Sequence, residues 1–203
     1  LVRFGASVVD PKSDNGTLNA NVPIGDLGAL PIEVDDKIGV TFNFTYMYTK
    51  NIGVQILAAL PFEHDISLEG LGEVASVKHL PPTISLQYHF LPDSVFQPYA
   101  GIGVNCPRFY SVEEKGALTD PTVLEDLGYV GLERVNLDVD SSSFGLAAQL
   151  GFDYMITDQW FLNFDLRYID IDTDVKVVED PSNINGTVNI DPVVYGIHLG
   201  YRF

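Results

Sequence analysis

The chain has 203 residues with 28 Asp or Glu against 11 Lys or Arg, a net charge of −17, and one cysteine. Eleven scattered basic residues build no stripe for a phosphate backbone, so nucleic acid is excluded as a partner, and one cysteine excludes an internal disulfide framework. A mean hydropathy of +0.12 arises without a run of about 18 apolar residues, which excludes a membrane-spanning helix.

Alternation of apolar with small or polar residues recurs eight times along the chain. Val2, Phe4, Ala6 and Val8 form the first run, and Ile38, Val40, Phe42, Phe44, Tyr46 and Tyr48 the second. After a turn at 49–51, Val54, Ile56, Ala58, Leu60 and Phe62 form the third. Leu80, Pro82, Ile84, Leu86, Tyr88 and Phe90 make the fourth; a turn at 92–94 leads to Phe96, Pro98, Ala100, Ile102 and Val104. Cys106 follows as a small apolar strand residue. The sixth run is Phe144, Leu146, Ala148, Leu150, Phe152 and Tyr154; Thr157 and Asp158 turn the chain into Trp160, Leu162, Phe164, Leu166 and Tyr168. The eighth, Val193 to Phe203, is the most strongly patterned and ends in aromatics.

The slots between these apolar residues hold Gly39, Thr41, Asn43, Gln55, Ser85, Gln87, Gly101, Gly103, Gln149, Asn163, Asp165 and Arg167, a small and polar set poor in Lys and Glu. A water-soluble barrel would turn its apolar face inward and a charged face outward. A narrow membrane barrel reverses this, with a hydrogen-bonding lumen and aromatics at the lipid interface. The expectation is therefore an all-β, eight-stranded antiparallel up-and-down transmembrane β-barrel, one domain over 1–203, with short turns at one end and long acidic loops at the other. The acidic stretches Asp10 to Asp36, Glu63 to Glu73, Glu113 to Asp140 and Asp170 to Asp191 read as those long, solvated loops.

The seventh run continues to Val175, further than the 9 to 11 residues that about one bilayer requires, so the wall projects outward. At Tyr168 and Ile169 the apolar phase changes: Ile169, Ile171, Thr173 and Val175 now stand opposite Asp170, Asp172 and Asp174. Either a bulge or simple departure from the lipid zone accounts for it. Within the longest connection, 111–137, Asp120 as N-cap, Pro121 at the first helical position, apolar Val123, Leu124 and Leu127, and Gly128 as stop predict a short helix. It is either a lid or a small local core.

LPPT at 80–83, SLQYH at 85–89, FQPYAGIGVN at 96–105, DLRYIDIDTDV at 165–175, DPVVY at 191–195 and the final GYRF resemble the OmpW family of bacterial outer membrane proteins. TFNFTYMYTKNIGV at 41–54 and SLQYH look closest to its alkane-uptake, AlkL-like branch, whereas LPPT and FQPY look like the general branch. The resemblance implies periplasmic turns and extracellular loops, surrounding lipid and lipopolysaccharide, and passive passage of small apolar solutes through an apolar funnel with sideways release into the bilayer. No cofactor is implied, and a monomer is expected.

The candidate residues follow from phase and resemblance together. Leu57, flanked inward by Gln55 and Ala59, matches a family position lining the apolar constriction, or is a lumen filler. Pro81 and Pro82 lie within a strand and remove ladder donors, which reads as a side gate or as a strand start above the membrane. Ile169 and Ile171 belong to the same solute path. Asp165 and Arg167, on one inward face, pair with each other or with Arg3, Asp153 and Arg202 as a polar plug, since charges in a cramped lumen must be paired. Asp138, Asp140, Asp172 and Asp174 meet at the outer rim as weak candidates for a divalent cation, the alternative being a hydrated acidic rim. His64, His79, His89 and His198 read as dispersed, so no enzyme is expected. The competing function is a structural or receptor barrel whose acidic loops bind a partner; a polar-solute channel is a third.

Overall fold

The computed structural model describes residues 1–12, 15–22, 25–178 and 184–203. In chain order the strands are β1 (Val2–Asp10), β2 (Thr17–Val22), β3 (Gly25–Val34), β4 (Lys37–Met47), β5 (Ile52–Ala59), β6 (Phe62–Leu68), β7 (Gly72–Leu80) and β8 (Thr83–His89). There follow β9 (Phe96–Asn105), β10 (Arg108–Glu114), a 3-10 turn (Gly116–Leu118), helix α1 (Pro121–Asp126), β11 (Leu137–Val139), β12 (Gly145–Met155), β13 (Trp160–Ile169), β14 (Asp172–Val177), β15 (Ile184–Asn189) and β16 (Val193–Tyr201).

Two tiers result. The lower tier is a closed antiparallel barrel in the order β1-β16-β13-β12-β9-β8-β5-β4. The upper tier is a second sheet, β10-β7-β6-β3-β2-β15-β14-β11, in which each strand continues a barrel strand in the same circular order. That sheet is open between β10 and β11, and the chain from 115 to 136, with α1, bridges the opening. The acidic stretches expected to be solvated loops are thus largely strands. Their pleat is less regular than the barrel's, with register shifts at Asn19/Asn21, Ile66/Ser67 and Tyr110/Val112, and acidic residues lie largely on its exposed side, so composition concealed it. Asp14, Glu179 and Asp180, in those same stretches, lie outside the described residues.

The outer wall of the barrel is apolar. Phe42, Phe44, Ile56, Leu86, Ile102, Leu150, Phe164 and Ile197 are all exposed, a continuous band that a chain surrounded by water would not carry. Aromatics border it near the short turns, where Trp160 meets Tyr201 edge-on with ring centres 5.0 Å apart, as lipid interfaces favour.

Strand phase does not change where the tiers meet on the seventh run. Ala148 pairs with Tyr168 and Ala147 with Ile169 in one unbroken register. Arg167, Ile169, Ile171, Thr173 and Val175 all point inward and are buried, while Tyr168, Asp170, Asp172 and Asp174 all point outward. Departure from the lipid zone therefore explains the altered pattern, and no bulge is involved. The third run does slip. Leu57 and Phe62 are both buried, an odd and an even residue, because Leu60 and Pro61 break the strand; Phe62, expected outside, is an inner residue packed over Gly39.

Pro81 and Pro82 lie between β7 and β8 rather than within one strand, and exposed Cys106 lies in the break between β9 and β10. Proline recurs at these breaks: Pro11, Pro61, Pro81 with Pro82, Pro107 and Pro192 stand at five of the eight joints between tiers. A residue without an N–H is placed where the ladder has no acceptor to offer.

Candidate functional site

Polar inward residues of the lower tier seal the lumen. Arg3 donates from Nε to Asp153 Oδ1 at 3.1 Å, from Nη2 to Asp153 Oδ2 at 2.7 Å and from Nη1 to Thr45 Oγ1 at 2.7 Å. Asn163 donates to Asp153 Oδ1 at 2.8 Å and to the Tyr99 hydroxyl at 3.0 Å, and Tyr99 donates to Asp165 Oδ2 at 2.9 Å. Arg167 reaches Asp165, Gln149 and Gln55, and Gln55 returns to Thr45. The circuit closes on itself across the bore. A branch runs from Asn163 through His198 and Thr41 to Ser7.

The plug residues expected from sequence are thereby brought together, with one exception. Arg202 lies at the turn end of the barrel and donates to Gln97 rather than to a carboxylate. Tyr99, Gln149, Gln55 and Asn163 carry as much of the circuit as the charged residues. Tyr99 was legible in principle, since a lone tyrosine in the inward phase beside Gly101 and Gly103 has no lipid to face.

Above this seal the inward face turns apolar. Val9, Ala147, Ile169, Ile171, Ile190 and Val194 line its floor, and they join a buried apolar cluster running up to Leu68, Val74, Leu124 and Val177. Each such side chain contributes about 1.5–3 kcal/mol by leaving water, so the upper tier is held by hydrophobic burial and the lower one by hydrogen bonds in the bore. A cavity of ≈ 60 Å³ remains at the top, enclosed by Leu68, Val74, Val77, Leu124, Val135 and Val177 among others. At about 10–15 Å³ for each water-sized group on this measure the cavity holds four or five such groups, so a larger solute requires the wall or the covering helix to give way. Leu57, buried between its strand partners Asn43 and Thr83, sits at the boundary of seal and chamber and outside the apolar cluster.

The wall is interrupted beside Pro81 and Pro82. Pairing of β5 with β8 ends at Leu57–Thr83, and pairing of β6 with β7 begins at Phe62–His79. Between them, no ladder pair joins 58–61 to 80–82 among the described residues. The other flank of the prolines is closed, since Cys106 N donates to the Pro82 carbonyl at 3.2 Å.

Helix α1 covers the seam between β10 and β11. Asp120 caps it, accepting from Thr122 N at 2.9 Å, and Leu124 is fully buried in the apolar cluster. Leu137 N donates to Glu114 Oε1 at 3.1 Å, which ties the two sides of the seam.

The four histidines are not all dispersed. His64 and His79, on neighbouring β6 and β7, lie side by side with ring centres 5.0 Å apart and planes tilted by 31° inside the apolar tier. Burial holds both below the ordinary imidazole range, His79 to about 3. The rim carboxylates lie on the outer face and pair with neutral or basic groups: Asp138 with Lys176 at 3.1 Å, Asp172 with Ser143 at 2.8 Å and Asp174 with Thr187 at 2.7 Å. Among the described residues, no three metal-ligating side chains converge.

A family model described as OmpW family matches residues 1–203. Outer membrane protein W of Vibrio cholerae is 37% identical over 210 residues, covering 100% of this chain and 88% of that protein. Outer membrane protein AlkL of Ectopseudomonas oleovorans is 29% identical over 191 residues, covering 89% and 75%. The crystal structure of outer membrane protein OprG from Pseudomonas aeruginosa has a TM-score of 0.79 and 33% identity, covering 100% of this chain and 94% of that one. With relatives of this kind and an apolar outer wall, the barrel is an outer membrane protein.

Proposed function

Because the chain belongs to the OmpW family, we propose that it carries small hydrophobic molecules passively across the outer membrane, from the apolar chamber sideways into the bilayer. The observation that carries this is the stacking of an apolar chamber directly on a sealed polar bore. A solute in that chamber gains about 0.8 kcal/mol per buried CH₂ over water, and the charged circuit beneath it removes the straight route. The interrupted ladder between 58–61 and 80–82 is the exit at the level of the chamber floor. Ala58, Ala59 and Leu60 on one bank and Leu80 on the other give it an apolar edge.

A structural or receptor barrel is the second function, favoured by an outer-face groove of ≈ 640 Å³ lined by Asp138, Asp140, Asp174, Asn185 and Thr187. Uptake of n-octane against a polar solute of similar size, in cells with intact lipopolysaccharide, separates the two. The comparison is between no protein, this protein and Leu57→Arg, with folding checked by heat-modifiable migration. Faster octane uptake alone, lost in the variant, supports transport; equal uptake in all three overturns it.

A further inference from the structure

Within the apolar tier two polar atoms stand out. His64 is 3% exposed and His79 2%, and among the described residues the Nε2 atom of each lacks a hydrogen-bond partner. Both rings line a small cavity of ≈ 20 Å³, whose other walls include Val77, Phe109, Val175 and Ile190. Leaving a buried imidazole nitrogen without a partner is costly, and native interiors keep such groups rare. The surroundings fix the hydrogen-bonding sense of one ring. His64 Nδ1 stands 2.7 Å from the Asp35 carbonyl oxygen, an acceptor only, so its proton lies on Nδ1 and its Nε2 presents a lone pair. His79 lies tilted against it and stacked on Phe62 with ring centres 5.9 Å apart, and its Nε2 carries a proton in one of its two neutral tautomers.

We propose that His64 and His79 form a hydroxyl-recognition site inside the chamber, so that the solutes handled best are medium-chain alcohols and phenols, apolar bodies with one O–H, rather than pure alkanes. The solute hydroxyl donates to His64 Nε2 and accepts from His79 Nε2–H, and its hydrocarbon part lies along the apolar wall. One oxygen fits a cavity of ≈ 20 Å³, since a single water-sized group occupies about 10–15 Å³ on this measure. The inference rests on the transport function proposed above and names its substrate class.

The test compares uptake of 1-octanol and n-octane by cells carrying the wild-type protein, His64→Leu or His79→Phe. The expected result is an octanol-to-octane ratio that falls about five- to tenfold in either variant, as loss of one buried hydrogen bond predicts, with octane uptake retained. Retained octane uptake with an unchanged ratio overturns the hydroxyl site and leaves the transport function standing. Absence of octane and octanol uptake in the wild type overturns both. A second measurement does not depend on the variants folding: the ¹⁵N resonances of His64 and His79 Nε2 in the wild-type protein in bilayers. They shift on addition of 1-octanol and not of octane if the site exists, and an equal response to both overturns it.

Discussion

Tyr168 and Ile169 are consecutive residues of one unbroken strand, yet Tyr168 is 49% exposed on the outer wall and Ile169 2% exposed within the chamber. Below this point the pleat puts apolar residues outside and polar ones inside; above it the same pleat does the reverse. Val8 and Val9 mark the equivalent point on β1, with Val9 buried and Asp10 outward. The boundary of the hydrocarbon is therefore written in the chain as an inversion of polarity at constant phase. It places a polar seal inside the membrane and an apolar chamber outside it.

The Arg3–Asp153 pair is fully buried, with two parallel hydrogen bonds. Asp153→Asn leaves the guanidinium uncompensated and is expected to destabilise the barrel by about 3–5 kcal/mol. The double variant Arg3→Met with Asp153→Leu is expected to lose less than the single one, because neither member of the pair is left as an unpaired buried charge. Urea unfolding in detergent micelles followed by tryptophan fluorescence checks both; additive losses would show that the two residues act independently.

Leu124 anchors α1 to the core with no exposed surface. Leu124→Asp puts a carboxylate into that apolar site and is expected to release the helix while leaving the barrel closed. Limited proteolysis should then cleave between 115 and 136 in the variant at enzyme concentrations that leave the parent intact, with heat-modifiable migration unchanged. Resistance equal to the parent would show that the helix is held by other contacts.

A Cβ at Gly39 would come within 2.3 Å of Phe62 Cε1. Gly39→Ala must displace a packed ring and is expected to cost about 1–3 kcal/mol. Phe62→Leu in the same chain should recover most of that loss by removing the ring that clashes. Failure of the second change to rescue the first would place the strain in the backbone.

Burial holds His79 at about 3 and lowers His64 as well, from an ordinary value of 6.5. As pH falls below 6.5 the unfolded chain takes up protons that the folded chain refuses, so for His79 stability is lost progressively between 6.5 and about 3, by roughly 1.4 kcal/mol per unit, and His64 adds a loss of the same sign. At pH 5 the His79 share amounts to about 2 kcal/mol. Unfolding midpoints at pH 7 and pH 5 should therefore differ more for the parent than for His79→Phe; equal differences would show that His79 is accessible to protons.

The lower tier was readable because each of its strands sets apolar residues against small polar ones over enough positions to leave one phase. The short turns and α1 were readable from their own chemistry, Asp120, Pro121 and Gly128 in particular. The upper tier was legible only where the seventh run extends to Val175; elsewhere its outward faces carry Asp and Glu, and that acidity masked strands such as Gly25–Val34 and Phe62–Leu68. The slip at Leu60 and Pro61 was equally hidden. One extra residue in a break sends Phe62 inward, and nothing local distinguishes that from a continued strand. The His64–His79 contact depends on pairing between β6 and β7, which alternation alone does not reveal.

The belt of breaks that separates the tiers has a mechanical meaning. A hydrogen-bonded ladder transmits displacement along its length, and a strand running uninterrupted through both tiers would force chamber and seal to move as one body. Interruption of the strands near one height leaves a closed barrel below and a sheet open between β10 and β11 above, which can yield separately. Amide exchange should then show two cooperative blocks with separate rates, divided at Pro11, Pro61, Pro81, Pro107 and Pro192.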